Sequence, residues 1–190
     1  SLGAEVWGYS LEPEATPNLF QALSLHQFSF PQIAGSLHHR IGDLHDLPGL
    51  QQLVAESRPQ VVLHLAAQPL VRRSYQEPLL TWSTNVQGSL HLLEALKPLQ
   101  NPCSVVMVTT DKVYENREWD HGYRETARLG GRDPYSASKA AAELAIASWR
   151  SSFWGFSAHQ TSHLAIATAR AGNVIGGGDW AEDRLLPDAM

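Results

Sequence analysis

The chain has 190 residues, of which 43% are hydrophobic and 17% charged, and this composition is typical of one globular domain rather than of a disordered or collagen-like chain. The formal net charge of −5 comes without any block of basic residues, which argues against a nucleic-acid or membrane-surface partner. Cys103 is the single cysteine, so no intrachain disulfide can form, and we expect a cytoplasmic protein.

Short apolar runs alternate along the chain with longer helical patterns. This alternation predicts an α/β fold, a Rossmann-like doubly wound parallel sheet with helices on both faces. The predicted strands are Glu5–Tyr9, Leu37–Ile41, Gln60–Leu65, Ser104–Thr109 and His163–Arg170. The predicted helices are Leu47–Ser57, Pro78–Leu96 and Pro134–Phe153. The third and fourth strands are apolar without alternation, which predicts that both lie in the middle of the sheet.

A doubly wound nucleotide-binding fold normally opens with a strand, a Gly-rich turn and a helix that holds a pyrophosphate. Residues 1–9 have the pattern of the second strand of such a fold, and the final "DRLLPDAM" stops where a further helix is expected. We therefore expect a fragment truncated at both ends. In this interpretation residues 1–175 form the dinucleotide-binding domain, without its first strand and helix, and residues 176–190 begin a substrate-binding region.

Tyr135 and Lys139 stand four residues apart in the Ala-rich helical segment "DPYSASKAAAELAIASWR". On a helix they lie about 6 Å apart along the axis and on the same face. A cation close to a phenol lowers the pKa of the phenol, so this spacing suits a tyrosine that acts as a base near neutral pH. A surface Tyr–Lys pair without any catalytic role is the alternative interpretation.

Polar or small residues follow three of the predicted strands. Thr110, Asp111 and Lys112 come directly after an apolar run, and Ala66 and Ala67 come after another. Ligands in parallel sheets bind at the carboxyl ends of the strands, so these residues are candidates for one site. Small side chains there would permit close approach by a flat cofactor. Asp43 follows a third strand, and its carboxylate could accept a hydrogen bond from an adenine amino group.

Thr110, Tyr135 and Lys139 resemble the catalytic Ser/Thr, Tyr and Lys set of the extended short-chain dehydrogenase/reductases. Within that superfamily nearly the whole chain is similar to the CDP-glucose 4,6-dehydratases. The segments that carry this similarity are "HLAAQPLVRRSY", "TNVQGS", "TTDKVYENREW", "GYRETARLGGRDPYSASKAAAEL" and "ARAGNVIGGGDWAEDRLLPD". Dehydratases that act on dTDP-glucose or GDP-mannose typically carry Asp-Glu after the Ser/Thr. This chain carries Asp111 and Lys112, as the CDP-glucose enzymes do.

The resemblance implies a hydro-lyase that converts CDP-glucose to CDP-4-dehydro-6-deoxyglucose with a tightly bound NAD recycled in each turnover. Tyr135, assisted by Lys139 and Thr110, would take the proton of the 4-hydroxyl while C4 gives a hydride to NAD. Lys112 would then remove the C5 proton, and a protonated Asp111 would donate to the departing 6-hydroxyl. The product would supply deoxysugars for surface polysaccharides. The 190 residues alone are expected to bind NAD weakly and to be inactive.

The resemblance also implies which residues bind ligands. The residues that would contact or position NAD are Asp43, Ala66, Ala67, Asn85, Tyr135 and Lys139. Asn173 would bind the diphosphate of the nucleotide sugar. Purely structural roles stay open for Asn85, which could bond only backbone, and for Asn173, which could cap a turn. Ser10 stands where many NAD-specific folds carry a carboxylate, so the preference for NAD over NADP rests on the resemblance. The nine histidines show no metal-binding spacing, and no metal site is expected.

Other functions remain open at this stage. A dTDP-glucose or GDP-mannose 4,6-dehydratase, or a nucleotide-sugar epimerase, would use a similar set of residues. An NAD-sensing binding protein that has lost catalysis is a non-enzymatic alternative, although Tyr135 and Lys139 are both present. The long helices near residues 78–96 and 134–153 predict a homodimer or higher homo-oligomer.

Overall fold

A computed structural model describes residues 3–14, 16–22, 35–155, 163–183 and 189. The strands are β1 (Glu5–Ser10), β2 (Ser36–Ile41), β3 (Val61–His64), β4 (Cys103–Thr110) and β5 (Leu164–Ala171). The helices are α1 (Leu19–Ala22), α2 (Leu47–Ser57), α3 (Val71–Gln76), α4 (Pro78–Trp82), α5 (Ser89–Leu96) and α6 (Pro134–Phe153). A π-helical segment, Ser83–Gly88, joins α4 to α5, and a 3₁₀ turn, Asp111–Val113, follows β4.

The chain divides into two compact units, one made of Ser1–Asp43 with Val174–Met190 and the other of Leu44–Asn173. The first unit contains a parallel pair of strands in which β1 runs beside β2 from Glu5 opposite Ser36 to Ser10 opposite Ile41. The second contains a parallel sheet in the order β3-β4-β5. Parallel strands joined through helices confirm the predicted Rossmann-like α/β class. The domain boundary at residue 175 stays a prediction.

The prediction that two strands lie in the middle of the sheet is confirmed for β4. β4 runs between β3 and β5, and its Val105 and Met107 side chains are buried. Among the described residues β3 pairs only with β4, and its Val61 and Leu63 side chains are 64% and 63% exposed. The central position predicted for β3 stays a prediction for the full-length protein.

The two helices with the clearest start signals have the predicted bounds. Asp46 caps α2 by accepting a hydrogen bond from the Gly49 amide across 3.0 Å, and Asp133 caps α6 by accepting from the Ser136 amide across 2.9 Å. A proline in the first turn favours both starts. The short helices α1 and α3 were not predicted. The predicted helix Pro78–Leu96 exists, but the π-helical segment interrupts it.

The apolar core of the second unit lies between the sheet and its helices. Leu93 and Leu96 of α5, Met107 of β4 and Ile146 of α6 are almost completely buried. Burial of each such side chain contributes about 1.5–3 kcal/mol. This packing fixes α6 against β4, and both elements carry candidate site residues. Among the described residues, no helix has both the length and the apolar composition needed to cross a membrane.

Candidate active site

The end of β4 delivers three candidate residues in succession. Thr110 is buried, and its hydroxyl accepts from the Lys112 amide across 3.3 Å and donates to Asp111 Oδ1 across 3.2 Å. The side chain of Thr110, whose backbone is extended, thus caps the 3₁₀ turn that begins at Asp111. The turn is the physical reason why a buried strand stops here, since it rotates the next two side chains out of the sheet.

Lys112 joins the ends of two neighbouring strands. Its Nζ donates to Asn173 Oδ1 across 3.2 Å and lies 3.5 Å from Asp111 Oδ1. The side chains of Lys112 and Asp111 are 46% and 55% exposed, so a ligand can reach both. Asn173 follows β5 and is exposed. The structure therefore brings together three of the residues predicted from sequence.

The first turn of α6 presents Tyr135. Asp133 and Ser136 form a reciprocal capping box, in which the Asp133 amide donates to Ser136 Oγ across 3.2 Å. Gly131 passes so close to the helix that a Cβ there would overlap the backbone of Ser136. Tyr135 is partly buried in this fixed turn. The capping box and the close approach of Gly131 together fix the start of α6, and thereby the position of Tyr135.

Lys139 lies one turn further along α6 and is buried. Its Nζ donates to the Val108 carbonyl across 3.3 Å, so the amine points at the carboxyl-terminal part of β4. Burial lowers the pKa of Lys139 to about 8. The amine is therefore mainly protonated at neutral pH and loses its charge only a little above it.

Asn85 holds the chain that follows β3. It lies in the π-helical segment and is almost completely buried. Its Oδ1 accepts from the Gln68 amide across 2.9 Å, and its Nδ2 donates to the Gln68 carbonyl across 3.2 Å and to Ser138 Oγ across 2.9 Å. Ala66 and Ala67 immediately precede Gln68 and are partly buried. Asn85 thus positions the segment with the two alanines, and it bonds a side chain as well as backbone. Its role in NAD binding stays a prediction.

His64, at the end of β3, was not singled out from the sequence. The Ser89 hydroxyl donates its one proton to the Asn85 carbonyl across 2.7 Å, so it accepts from His64 Nε2, which is 3.0 Å away. Burial, with a smaller contribution from the charge of Lys139, lowers the pKa of His64 to about 4. The imidazole is therefore neutral at physiological pH with its proton on Nε2.

Asp43 belongs to the first unit, whereas the other predicted site residues belong to the second. It follows β2, and its backbone carbonyl accepts from the Tyr9 hydroxyl across 3.2 Å. Next to it, a Cβ on Gly42 would overlap the Tyr9 ring. The role of the Asp43 side chain in cofactor binding stays a prediction.

The loop of residues 116–132 borders a pocket of about 550 Å³ at the end of β4. Residues that line it are Asp111, Lys112, Asn116, Tyr123, Arg132 and Ser136. Within the described residues the structure contains no cluster of three or more histidine, cysteine or acidic side chains that could hold a metal ion.

Comparison with known proteins places this geometry in a family. Residues 6–162 match the family model described as GDP-mannose 4,6 dehydratase. A CDP-glucose 4,6-dehydratase from Salmonella typhimurium is 47% identical over 189 residues, which cover all of this chain and 50% of that protein. The chain belongs to this dehydratase family of the extended short-chain dehydrogenase/reductases. The family predicted from the sequence is thereby confirmed.

Solved structures of other proteins show the same fold. A dTDP-glucose 4,6-dehydratase double mutant from Streptomyces venezuelae with NAD and DAU bound has a TM-score of 0.75 at 25% identity, covering 97% of this chain and 51% of that chain. RMD from Pseudomonas aeruginosa complexed with NADPH has a TM-score of 0.65 at 25% identity, covering 92% of this chain and 55% of that chain. The chain thus spans about half the length of the relatives it matches.

The described site fits the dinucleotide that such dehydratase relatives hold. At the end of β3, Ala66 and Ala67 add only methyl groups, so a flat ring can approach the backbone. The Lys139 ammonium has three N–H donors, and its one acceptor among the described residues is the Val108 carbonyl. Its other two donors are available to hydroxyl oxygens of a ligand.

Sequence reasoning missed a second group of residues next to this candidate site. Glu143 of α6 is buried and makes an ion pair with Arg170 of β5, with Arg170 Nη2 3.1 Å from Glu143 Oε2. The signal that could have found Glu143 is its spacing, since it follows Tyr135 by eight residues and Lys139 by four on one helix face.

Proposed function

We propose that the full-length protein converts CDP-glucose to CDP-4-dehydro-6-deoxyglucose with loss of water. The observation that carries this proposal is the pair Asp111–Lys112 at the end of β4, with Lys112 bonded to Asn173. Lysine after the aspartate is the feature that the resemblance associates with CDP-glucose enzymes. The Salmonella typhimurium relative, identical at 47% of positions across the chain, supports the same substrate.

NAD is the proposed cofactor, and when bound it would accept a hydride from C4 of the sugar and return one to C6. Ala66 and Ala67 would leave room for its rings, and Asn85 would hold their backbone in place through Gln68. Lys139 would donate to its hydroxyl groups. Asp43 is proposed to accept from the adenine amino group.

Tyr135 would act first, as the base that takes the proton of the sugar 4-hydroxyl. The phenolate that accepts this proton is stabilised by a nearby cation, and Lys139 stands one helical turn away and is mainly protonated at neutral pH. Thr110 would hydrogen-bond the same sugar oxygen. Oxidation at C4 leaves a 4-ketone, which makes the C5–H bond acidic.

Lys112 and Asp111 would carry out the elimination. The Lys112 amine would take the C5 proton, and the electrons of the C5–H bond would form a C5–C6 double bond while the C6–O bond breaks. Asp111, in its carboxylic acid form, would give its proton to the departing hydroxyl, which leaves as water. Once C6 has received a hydride, the proton held by Lys112 would return to C5.

The elimination requires a site that is shielded from water, because the base must be a neutral amine. Loss of water around an amine favours its neutral form. Both side chains are about half exposed in the described structure. A bound nucleotide sugar would cover them, so we expect the substrate itself to complete the environment in which Lys112 can act as a base.

Three further properties belong to this proposal. Asn173 would bind the substrate diphosphate, and residues 176–190 would begin the substrate-binding region. The protein would form a homodimer through α4, α5 and α6, which is supported by the exposed side chains of Leu79 and Leu144. It would work in the cytoplasm, in the supply of deoxysugars for surface polysaccharides.

A substrate panel tests the proposed function. The full-length protein with NAD is incubated separately with CDP-glucose, dTDP-glucose, UDP-glucose and GDP-mannose, and products are identified by mass and by NMR. We expect loss of one water from CDP-glucose in preference to the other three. Dehydration of only a different nucleotide sugar would refute the CDP assignment. An isomer without water loss would indicate an epimerase, and cofactor binding without any turnover would indicate a sensor.

A further inference from the structure

The carboxylate of Glu143 connects α6 to two strands of the sheet. It is only 6% exposed, and it accepts from Thr109 Oγ1 across 2.5 Å and from Thr168 Oγ1 across 3.0 Å. Burial alone would raise the pKa of Glu143, but hydrogen bonds from Arg170 and the two threonines outweigh it and keep the pKa below its ordinary value. The carboxylate is therefore ionised and has donors from β4 and β5.

Arg170 completes this arrangement with two parallel hydrogen bonds. Its Nε donates to Glu143 Oε1 and its Nη2 to Glu143 Oε2, each across 3.1 Å. Such a bidentate contact fixes orientation as well as distance. The remaining guanidinium nitrogen, Nη1, donates to the backbone carbonyl of Glu125 across 3.0 Å. Arg170 thus links the helix and strand to the loop between the 3₁₀ turn and α6.

The same guanidinium also supports the aromatic part of that loop. It lies 4.9 Å from the centre of the Tyr114 ring, which stacks on Tyr123 with ring centres 5.1 Å apart. Trp119 contacts Tyr123 in turn, with ring centres 5.7 Å apart. Tyr114 follows Lys112 by two residues, so the contacts of Arg170 reach the segment that carries the proposed base.

Each residue proposed to act in the reaction lies close in sequence to a contact of this ion pair or on the same helix face, and Asp111 follows Thr109 by two residues. Thr110 adjoins Thr109, and Asn173 follows Arg170 by three residues. Lys112 precedes Tyr114 by two residues. Tyr135 and Lys139 share the helix and the face of Glu143. These residues come from four separate elements, and each element has a contact with the Glu143–Arg170 pair or carries one of its two members.

We propose that Glu143 and Arg170 are positioning residues that hold the active-site elements in register, rather than a pair that serves stability alone. A buried ion pair is weak evidence of a stabilising role, because apolar side chains of the same volume often stabilise a fold as well or better. A bidentate pair with two threonine donors instead fixes one arrangement of helix and strands. Without it, α6 could shift against the end of β4, and a displacement of about 1 Å at a catalytic group costs about 100-fold in rate.

The inference rests on the proposed dehydratase activity, but its first measurement does not depend on turnover. The full-length protein is compared with Arg170→Ala by amide hydrogen exchange. We expect faster exchange in residues 110–132 and in the first turn of α6, and little change in α2. Arg150→Ala is the matched control, because Arg150 also joins α6 to β5, donating to the Ile166 carbonyl across 3.4 Å, but does so near the amino-terminal end of the strand, away from the candidate site.

The second measurement is chemical rescue. Arg170→Ala should lower kcat about 100-fold, with KM for the nucleotide sugar and the affinity for NAD changed much less. Added guanidinium should restore at least about 10-fold of the lost rate and slow the exchange again, because it can refill the bidentate site. Urea at the same concentration should restore nothing, since it carries no charge. Thr109→Val, which leaves the ion pair intact, gives a milder variant if Arg170→Ala does not fold.

The possible outcomes separate the two proposals. Unchanged exchange in Arg170→Ala, or kcat equal to that of Arg150→Ala, would overturn the positioning role. Exchange that increases uniformly across the protein, without rescue by guanidinium, would also overturn it and leave only a stabilising role. A wild-type protein without dehydratase activity on any sugar would refute the proposed function, while local exchange changes that guanidinium reverses would still support the link between Arg170 and the site.

Discussion

The Lys139 amine donates to the Val108 carbonyl across 3.3 Å, two residues before β4 ends at Thr110. A buried ammonium with a single described acceptor is an unfavourable group in a folded protein, and this is why burial lowers its pKa to about 8. The fold therefore keeps a destabilising charge beside the proposed base Tyr135. A buried ammonium beside Tyr135 suits a catalytic role, whereas selection for stability alone would disfavour it.

Replacing Lys139 with methionine should separate stability from activity. The pKa of lysine is about 10.4 in an unfolded chain and about 8 here, so the unfolded state binds more protons between these values and stability rises with pH across that window. Below pH 8 the full cost of the buried charge remains. Lys139→Met should then raise the free energy of unfolding at pH 7 by about 2 kcal/mol, after the lost hydrogen bond is counted.

Urea unfolding at pH 7 and pH 10 measures this difference, and dehydratase turnover measures the cost to function. The gain in stability should shrink at pH 10, where wild-type Lys139 is largely neutral, and turnover should fall about 100-fold or more at pH 7. Lys97→Met provides the matched control at a solvent-accessible lysine, which pairs with Glu94. A less stable Lys139→Met protein at pH 7 would contradict the account of the buried charge.

His64 should make the protein sensitive to acid. Its pKa is about 4 when folded and about 6.5 in an unfolded chain, so the unfolded state binds more protons between these values. Stability is therefore lost as pH falls from 6.5 towards 4, by on the order of 3 kcal/mol for this residue. Unfolding by urea across that range should show a smaller loss for His64→Gln than for the wild type. The exposed His121 gives the control, and an equal loss in His64→Gln and His121→Gln would refute the assignment.

Gly131 should be intolerant of a side chain because α6 begins against it. A Cβ there would overlap the backbone of Ser136 and Ala137, which no side-chain rotation can relieve. Gly131→Ala should cost about 1–3 kcal/mol of stability and displace Tyr135, so turnover should fall by more than stability alone explains. Gly122→Ala is the matched control in the same loop, since nothing lies within 4 Å of its added Cβ. Equal melting temperatures of Gly131→Ala and Gly122→Ala would contradict this prediction, because they would show that the start of α6 accommodates the added methyl group.

The elements that could be predicted from the sequence are those with local signals. The bounds of α6 follow from Asp133, Pro134 and an Ala-rich run, which together determine a start and a long helix. The helix α3 gave no such signal, because its first residue follows Leu70, which cannot cap it through a side chain. The π-helical segment was not predicted because it depends on tertiary contacts, such as those between Asn85 and Gln68.

The candidate site was predictable to the extent that its residues lie at strand ends. Parallel strands bring their carboxyl ends to one edge, so Lys112 and Asn173 could be expected in one site, and they are bonded directly. The pairing of Glu143 with Arg170 was not predictable in this way. It depends on how α6 lies across β5, and a separation of 27 positions along the chain gives no spacing rule for that contact.

The central claim is that Lys112 is the base of the elimination, and a single-turnover experiment with Lys112→Ala tests it most directly. The full-length variant with bound NAD is mixed with CDP-glucose, and the near-ultraviolet absorbance of reduced nicotinamide is followed together with release of the dehydrated product. Oxidation at C4 should still occur, so the absorbance should rise and persist, while product forms about 100-fold or more slowly than in the wild type. Lys97→Ala should behave as the wild type. Product release at the wild-type rate in Lys112→Ala would contradict the account.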